Sequence, residues 1–75
     1  MKQEFLDCKG MRCPMPIVEI FKRMKGMNVG DILTVEADDM AFSADIRAWC
    51  EQAGQKIIEL SCEGTVKKVV LEKTK

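Results

Sequence analysis

The sequence predicts an α/β (α+β) two-layer sandwich, with one four-stranded mixed sheet carrying two helices on one face. Three observations predict it. Apolar residues recur at helical spacing in two segments and alternate in two others, Ile32 to Ala37 and Lys56 to Cys62, with short strand-like segments at Lys2 to Cys8 and Val66 to Glu72. Those segments follow one another in the order β-α-β-α-β-β, which leaves each helix between two strands. Each helix carries a single apolar stripe, and one sheet face is the simplest surface that buries both. With 75 residues the chain is expected to be one domain spanning 1–75. Chains of this size bury only roughly 60% of the surface their unfolded form exposes. Chemistry is therefore expected on an exposed loop or element end, not in an enclosed cavity.

The elements follow in order. Lys2 to Cys8 reads as a short strand with Phe5 and Leu6 as its apolar content, and Asp7-Cys8-Lys9-Gly10 turns away from it. The first helix is expected just after Cys13, with that cysteine as N-cap. Pro14 suits the first helical position, where a missing N–H costs nothing, and Pro16 still lies in the first turn. Ile17, Ile20, Phe21, Met24 and Met27 give the stripe, while Lys22, Arg23 and Lys25 suit the negative dipole end before Asn28 and Gly30. Ile32 to Ala37 is the second strand, with Leu33, Val35 and Ala37 on one face; Asp38 and Asp39 are candidate caps for the next helix. That helix carries Phe42, Ile46, Trp49, Cys50 and Ala53, and stops at Gly54. Lys56 to Cys62 is the third strand, with Ile58, Leu60 and Cys62 expected inward. Glu63-Gly64 turns into the fourth strand, Val66 to Glu72, ahead of a charged tail from Lys73 to Lys75. Thr34, Glu36, Glu59 and Ser61 fit a second, partly exposed sheet face.

Composition narrows the function. Twelve basic and twelve acidic residues balance to a net charge of +0, without the basic excess of a dedicated nucleic-acid binder. No apolar run approaches the ~18 residues that span a membrane, and Met1-Lys2-Gln3-Glu4-Phe5 is too polar for a secretory signal core. The chain reads as soluble and cytoplasmic. With no histidine, the Cys-His and Ser-His pairs of hydrolases are excluded. Cys8, Cys13, Cys50 and Cys62 are separated by 4, 36 and 11 residues, with no Cys-x-x-Cys, which is not zinc-site spacing. Neither a metal nor a cofactor is expected.

Among the four thiols Cys13 is the candidate nucleophile. A helix N-terminus offers partial positive charge and unpaired N–H donors, both of which favour a thiolate. Arg12 adds a cation, Lys9 is a candidate second one, and Pro14 and Pro16 stiffen the turn. The expectation is a Cys13 pKa below the ordinary thiol value. Cys50 and Cys62 read as small core residues. Cys8 is a candidate resolving thiol, although closeness in sequence does not supply disulfide geometry. Met11 and Met15 flank Cys13, either as an apolar rim for a docking partner or as packing. Asp38, Asp39 and Asp45 form a carboxylate-rich stretch, read as capping and solvation.

The run Leu6-Asp7-Cys8-Lys9-Gly10-Met11-Arg12-Cys13-Pro14-Met15-Pro16 resembles the signature of the TusA/SirA-like sulfur carriers, Cys-Pro-x-Pro preceded by Asp-x-x-Gly. Ala37-Asp38-Asp39, Asp45-Ile46 and Trp49-Cys50 resemble their second-helix region, so the likeness spans the chain as one TusA-like domain. The resemblance implies a sulfur carrier that holds sulfane sulfur as a persulfide on Cys13. It implies a cysteine desulfurase or a rhodanese as donor and a downstream protein as acceptor. Gly10, Arg12, Pro14 and Pro16 are the supporting positions. The tRNA-thiolation branch has Asp-Pro after the second strand, whereas this chain has Asp39-Met40.

Two rival readings use the same residues. In one, the Cys13 loop is a non-catalytic docking surface. In the other, Cys8 and Cys13 form a dithiol redox pair.

Overall fold

The computed structural model describes residues 2–75. The order is β1 (Gln3–Asp7), α1 (Met15–Lys25), β2 (Ile32–Ala37), α2 (Phe42–Ala53), β3 (Lys56–Glu63) and β4 (Val66–Glu72), as the hydrophobic periods imply. The four strands form one sheet in the order β1-β2-β4-β3. β1 pairs parallel with β2, and β4 pairs antiparallel with both β2 and β3. A parallel pair needs a crossover, which α1 supplies between β1 and β2. β3 therefore also runs parallel to β2, with β4 inserted between them. Among the described residues, no helix is long and apolar enough to cross a membrane.

The core lies between the sheet and the helices. β2 contributes Leu33, Val35 and Ala37, all buried as their alternation predicts. β4 adds Val69 and Leu71 from the register positions opposite Val35 and Leu33. α1 presents Pro16, Ile20 and Met24, and α2 presents Phe42, Ile46 and Cys50. All of these residues except Pro16 form one cluster, so both helices cover the same face. The opposite face runs across the sheet as Phe5, Thr34, Val70 and Glu59 in neighbouring strands.

Four expectations are corrected. Phe21 is exposed, because α1 turns its narrower Pro16-Ile20-Met24 line to the core. Met27 is buried, but from the loop after Lys25. Neither Asp38 nor Asp39 caps α2 with its side chain; the N-cap is Ala41 and has no side-chain bond. Cys62 and Ile58 are exposed. A register irregularity between Ile57 and Glu59 makes Ile57 the partner of Leu71 and leaves Ile58 outside the ladder. Bulges of this kind bend an edge strand and shift its alternation. Leu60 still reaches the core opposite Val69, but Cys62 pairs with Lys67 near the turn, beyond the packed cluster.

Candidate functional site

The loop from Cys8 to Pro14 links β1 to α1 and carries Cys13. Its start is anchored: the Cys8 N–H donates to the Glu36 carbonyl at 2.7 Å, continuing the β1–β2 ladder by one step. The Cys8 carbonyl then accepts from Met11 N–H at 3.2 Å. Gly10 has φ of +86°, a left-handed conformation that glycine adopts without the Cβ penalty. Its N–H donates to Asp38 Oδ1 at 2.9 Å, which ties the loop to the chain leaving β2. This bond, not helix capping, is the structural use of Asp38.

Helix α1 starts one residue later than its sequence suggests. Pro14 is the N-cap and Met15 the first helical residue, so Cys13 stands just outside the helix and is exposed. The Cys13–Pro14 peptide bond is cis. The Met15 N–H donates to the Arg12 carbonyl at 2.8 Å, and Pro14 and Pro16 have no N–H to offer. The array of free donors expected around the sulfur is thus sparse. Lys9 is also committed elsewhere, pairing with Glu36 at 3.3 Å.

The electrostatics of Cys13 reverse the expectation. Its pKa is raised above the ordinary thiol value, first by the Asp45 carboxylate, which favours the protonated thiol. Partial desolvation and the negative charges of Asp45 and Asp39 act in the same direction. Asp45 belongs to the first turn of α2. The charges that raise the Cys13 pKa thus belong to the first turn of α2 and to the loop before it. Gly10, Met11, Arg12, Asp38, Asp39 and Met40 line an open cleft of about 410 Å³. Asp39 Oδ2 is buried and has no hydrogen-bond partner among the described residues.

The candidate positions divide clearly. Gly10, Arg12, Cys13, Pro14 and Pro16 all belong to this corner, Pro16 as a buried first-turn residue under it. Cys8 does not share its accessibility: it is fully buried in the core, and burial raises its pKa before the nearby Glu19 and Asp7 charges do. All four cysteines are free thiols. Cys50 is buried, and burial pushes its pKa up to about 11. Asp45 was readable only as capping or solvation, because sequence spacing does not show which loop an α2 carboxylate meets. Among the described residues, no group of three or more Cys, Asp or Glu is arranged to hold a metal ion.

Comparison with known proteins bears on the family and the fold. Residues 4–73 match the family model "Sulfurtransferase TusA". The chain is 40% identical over 68 residues to "Putative sulfur carrier protein YrkF" of Bacillus subtilis, covering 91% of this chain and 37% of that protein's length. It is also 40% identical to "Putative sulfur carrier protein YrkI" of the same organism, covering 91% of both chains. The crystal structure of a SirA-like protein from Desulfitobacterium hafniense superposes with a TM-score of 0.80, over 96% of this chain and 99% of that one. At 20% identity that structure speaks for the fold. By its match over nearly its whole length, the chain belongs to the TusA family of sulfur-carrier proteins.

Proposed function

We propose that the protein carries sulfane sulfur as a persulfide on Cys13, accepting it from a cysteine desulfurase or a rhodanese and passing it to an acceptor protein. The supporting observation is an exposed thiol in Arg12-Cys13-Pro14-Met15-Pro16, held outside α1 on a loop fixed by Gly10 and Asp38, in a chain of the sulfur-carrier family. An exposed corner suits a relay, since two protein active sites must reach the same sulfur in turn. Exposed Met15 follows two residues after Cys13 and exposed Met40 lines the cleft with Arg12, both as adaptable apolar contacts for those partners. Four unpaired cysteines fit a reducing compartment, the cytoplasm.

The test is incubation with a cysteine desulfurase and cysteine, followed by intact-mass and peptide analysis. The wild type is expected to gain one sulfur on the Cys13 peptide, and Cys13→Ser to gain none there. Absence of the adduct on the wild type with desulfurase and rhodanese donors alike would refute the reading.

A further inference from the structure

We propose that Asp38 is a positioning residue for sulfur loading: its carboxylate holds the Cys13 loop against the β2–α2 loop in the arrangement on which a protein donor docks. This rests on the persulfide-carrier reading above and adds to it a residue that acts through the loop, not on the sulfur.

The hydrogen bonds of the loop carry the inference. The parallel register of β1 with β2 ends at Asp7 and Glu36. One further rung follows, from the Cys8 N–H to the Glu36 carbonyl at 2.7 Å. Rungs of a parallel ladder are evenly spaced, so the next would join the Gly10 N–H to the Asp38 main-chain carbonyl. The Asp38 side chain takes that place: its Oδ1 accepts from the Gly10 N–H at 2.9 Å. The chain can then leave the ladder at Gly10, whose φ of +86° no strand adopts, without losing the bond. A Cβ at Gly10 would meet nothing within 4 Å, so glycine serves here for its conformation and not for space.

Among the described residues, the other backbone bonds of this stretch are local. The Lys9 N–H donates to Asp7 Oδ1 at 3.0 Å, the Met11 N–H to the Cys8 carbonyl and the Met15 N–H to the Arg12 carbonyl. The Lys9–Glu36 ion pair is exposed, and exposed pairs hold little. The cleft of about 410 Å³ lies between the same two segments, with Gly10, Met11 and Arg12 from one and Asp38, Asp39 and Met40 from the other. The Asp38–Gly10 bond therefore bridges its two walls, and the Arg12 wall runs on directly into Cys13.

A protein donor docks on a shape, whereas a small persulfide needs only an exposed sulfur. Loosening the loop lowers the fraction of molecules in the docking shape, and apparent affinity falls by that fraction. The transfer itself is unchanged. A bond forms between Cys13 Sγ and the donor's terminal sulfur, and the donor S–S bond breaks. Its electron pair stays on the sulfur left behind, where the thiol proton also ends, so no oxidant or reductant is required. KM for the protein donor should move, and kcat should not.

The experiment compares full-length wild type, Asp38→Ala and Asp38→Asn, which keeps an Oδ1 acceptor. Loading of the Cys13 peptide is read with two donors: the desulfurase or rhodanese that loads the wild type, and glutathione persulfide. With the protein donor, Asp38→Ala is expected to raise KM on the order of 10-fold at nearly unchanged kcat, the shift that one charge-assisted bond carries at an exposed site. Asp38→Asn should stay within about 3-fold of the wild type, since the bond survives without its charge. With glutathione persulfide all three should load at one rate. A wild-type KM in Asp38→Ala, or a fall in kcat at wild-type KM, would overturn the proposal. So would equal slowing with both donors, the mark of a general fold defect, or an Asp38→Asn as poor as Asp38→Ala, which would make the charge responsible. Should Asp38→Ala fail to fold, Gly10→Ala decides, because its Cβ has open space while its φ is strained. Its KM for the protein donor must rise while glutathione persulfide loading is kept, and an unchanged KM overturns the proposal. A wild type that no protein donor loads refutes the carrier reading itself, whereas a loading wild type with an indifferent Asp38→Ala refutes only the role of Asp38.

Discussion

At the scale of the residue, the four cysteines differ by environment more than by sequence. Cys13 and Cys62 are exposed, while Cys8 and Cys50 are buried. Iodoacetamide on the folded protein is therefore expected to label Cys13 and Cys62, and to reach Cys8 and Cys50 only after denaturation; peptide mass spectrometry reads this directly. Labelling of Cys8 in the native protein would restore it as a candidate resolving thiol. The buried place of Cys50 was legible, because it lies on a helical stripe that later elements do not disturb. Cys62 was not, because the irregularity at Ile57–Glu59 is a pairing event between two strands. Asp31 makes a second prediction. It is buried, and its carboxylate accepts from the N–H groups of Asn28 at 2.9 Å and Lys2 at 3.0 Å. These bonds, that from Asn28 first, hold its pKa below the usual carboxylate value. The folded-state pKa lies below the unfolded one, so the stabilisation is present above the unfolded value of about 3.9 and is lost as pH falls through the folded one. The gap in urea midpoint between wild type and Asp31→Ala should therefore be widest near neutral pH and narrow in acid. A gap independent of pH would contradict this clasp.

At the scale of the element, α1 is closed by a residue far along the chain. The Lys73 Nζ donates to the Met24 and Met27 carbonyls at 2.6 and 2.7 Å, satisfying acceptors at the helix end. The three basic residues of the last turn are legible in sequence, and they suit the dipole. Yet Arg23 turns away to Glu4 and to the Phe5 carbonyl, both at 3.3 Å, and so joins α1 to β1. A cation from beyond β4 does the capping instead, which no local pattern announces. Lys73→Met keeps much of the aliphatic stem but removes two charge-assisted bonds, each worth about 1.5–3 kcal/mol in favourable settings. Partial exposure reduces this, so a loss of about 2 kcal/mol in denaturant-derived stability is expected. The Cys13 loop should keep its geometry, because its anchors are Glu36 and Asp38, and persulfide loading of Lys73→Met should match the wild type.

At the scale of the molecule, one sheet has two unequal faces. The two layers were legible because each helix has a single stripe and β2 alternates strictly. The insertion of β4 between β2 and β3 was not, since the same alternation would serve β3 beside β2. The difference between faces yields a paired test. Leu33 is fully buried in β2, with Glu4 and Leu71 opposite it in the neighbouring strands. Phe5 lies on the other face, opposite Thr34, and is 54% exposed. Buried Leu→Ala changes cost about 2–5 kcal/mol, because lost transfer free energy adds to an unfilled cavity. Stability of roughly 0.05–0.15 kcal/mol per residue gives this chain only about 4–11 kcal/mol in total. Leu33→Ala should therefore lower the urea midpoint by about a fifth or more. Phe5→Thr retains a strand-favouring residue and removes a ring already half in water, so it should change stability by less than about 1 kcal/mol. Equal losses for the two variants would mean that the outer face is covered as the inner one is, and that the sandwich has a third layer supplied by another chain.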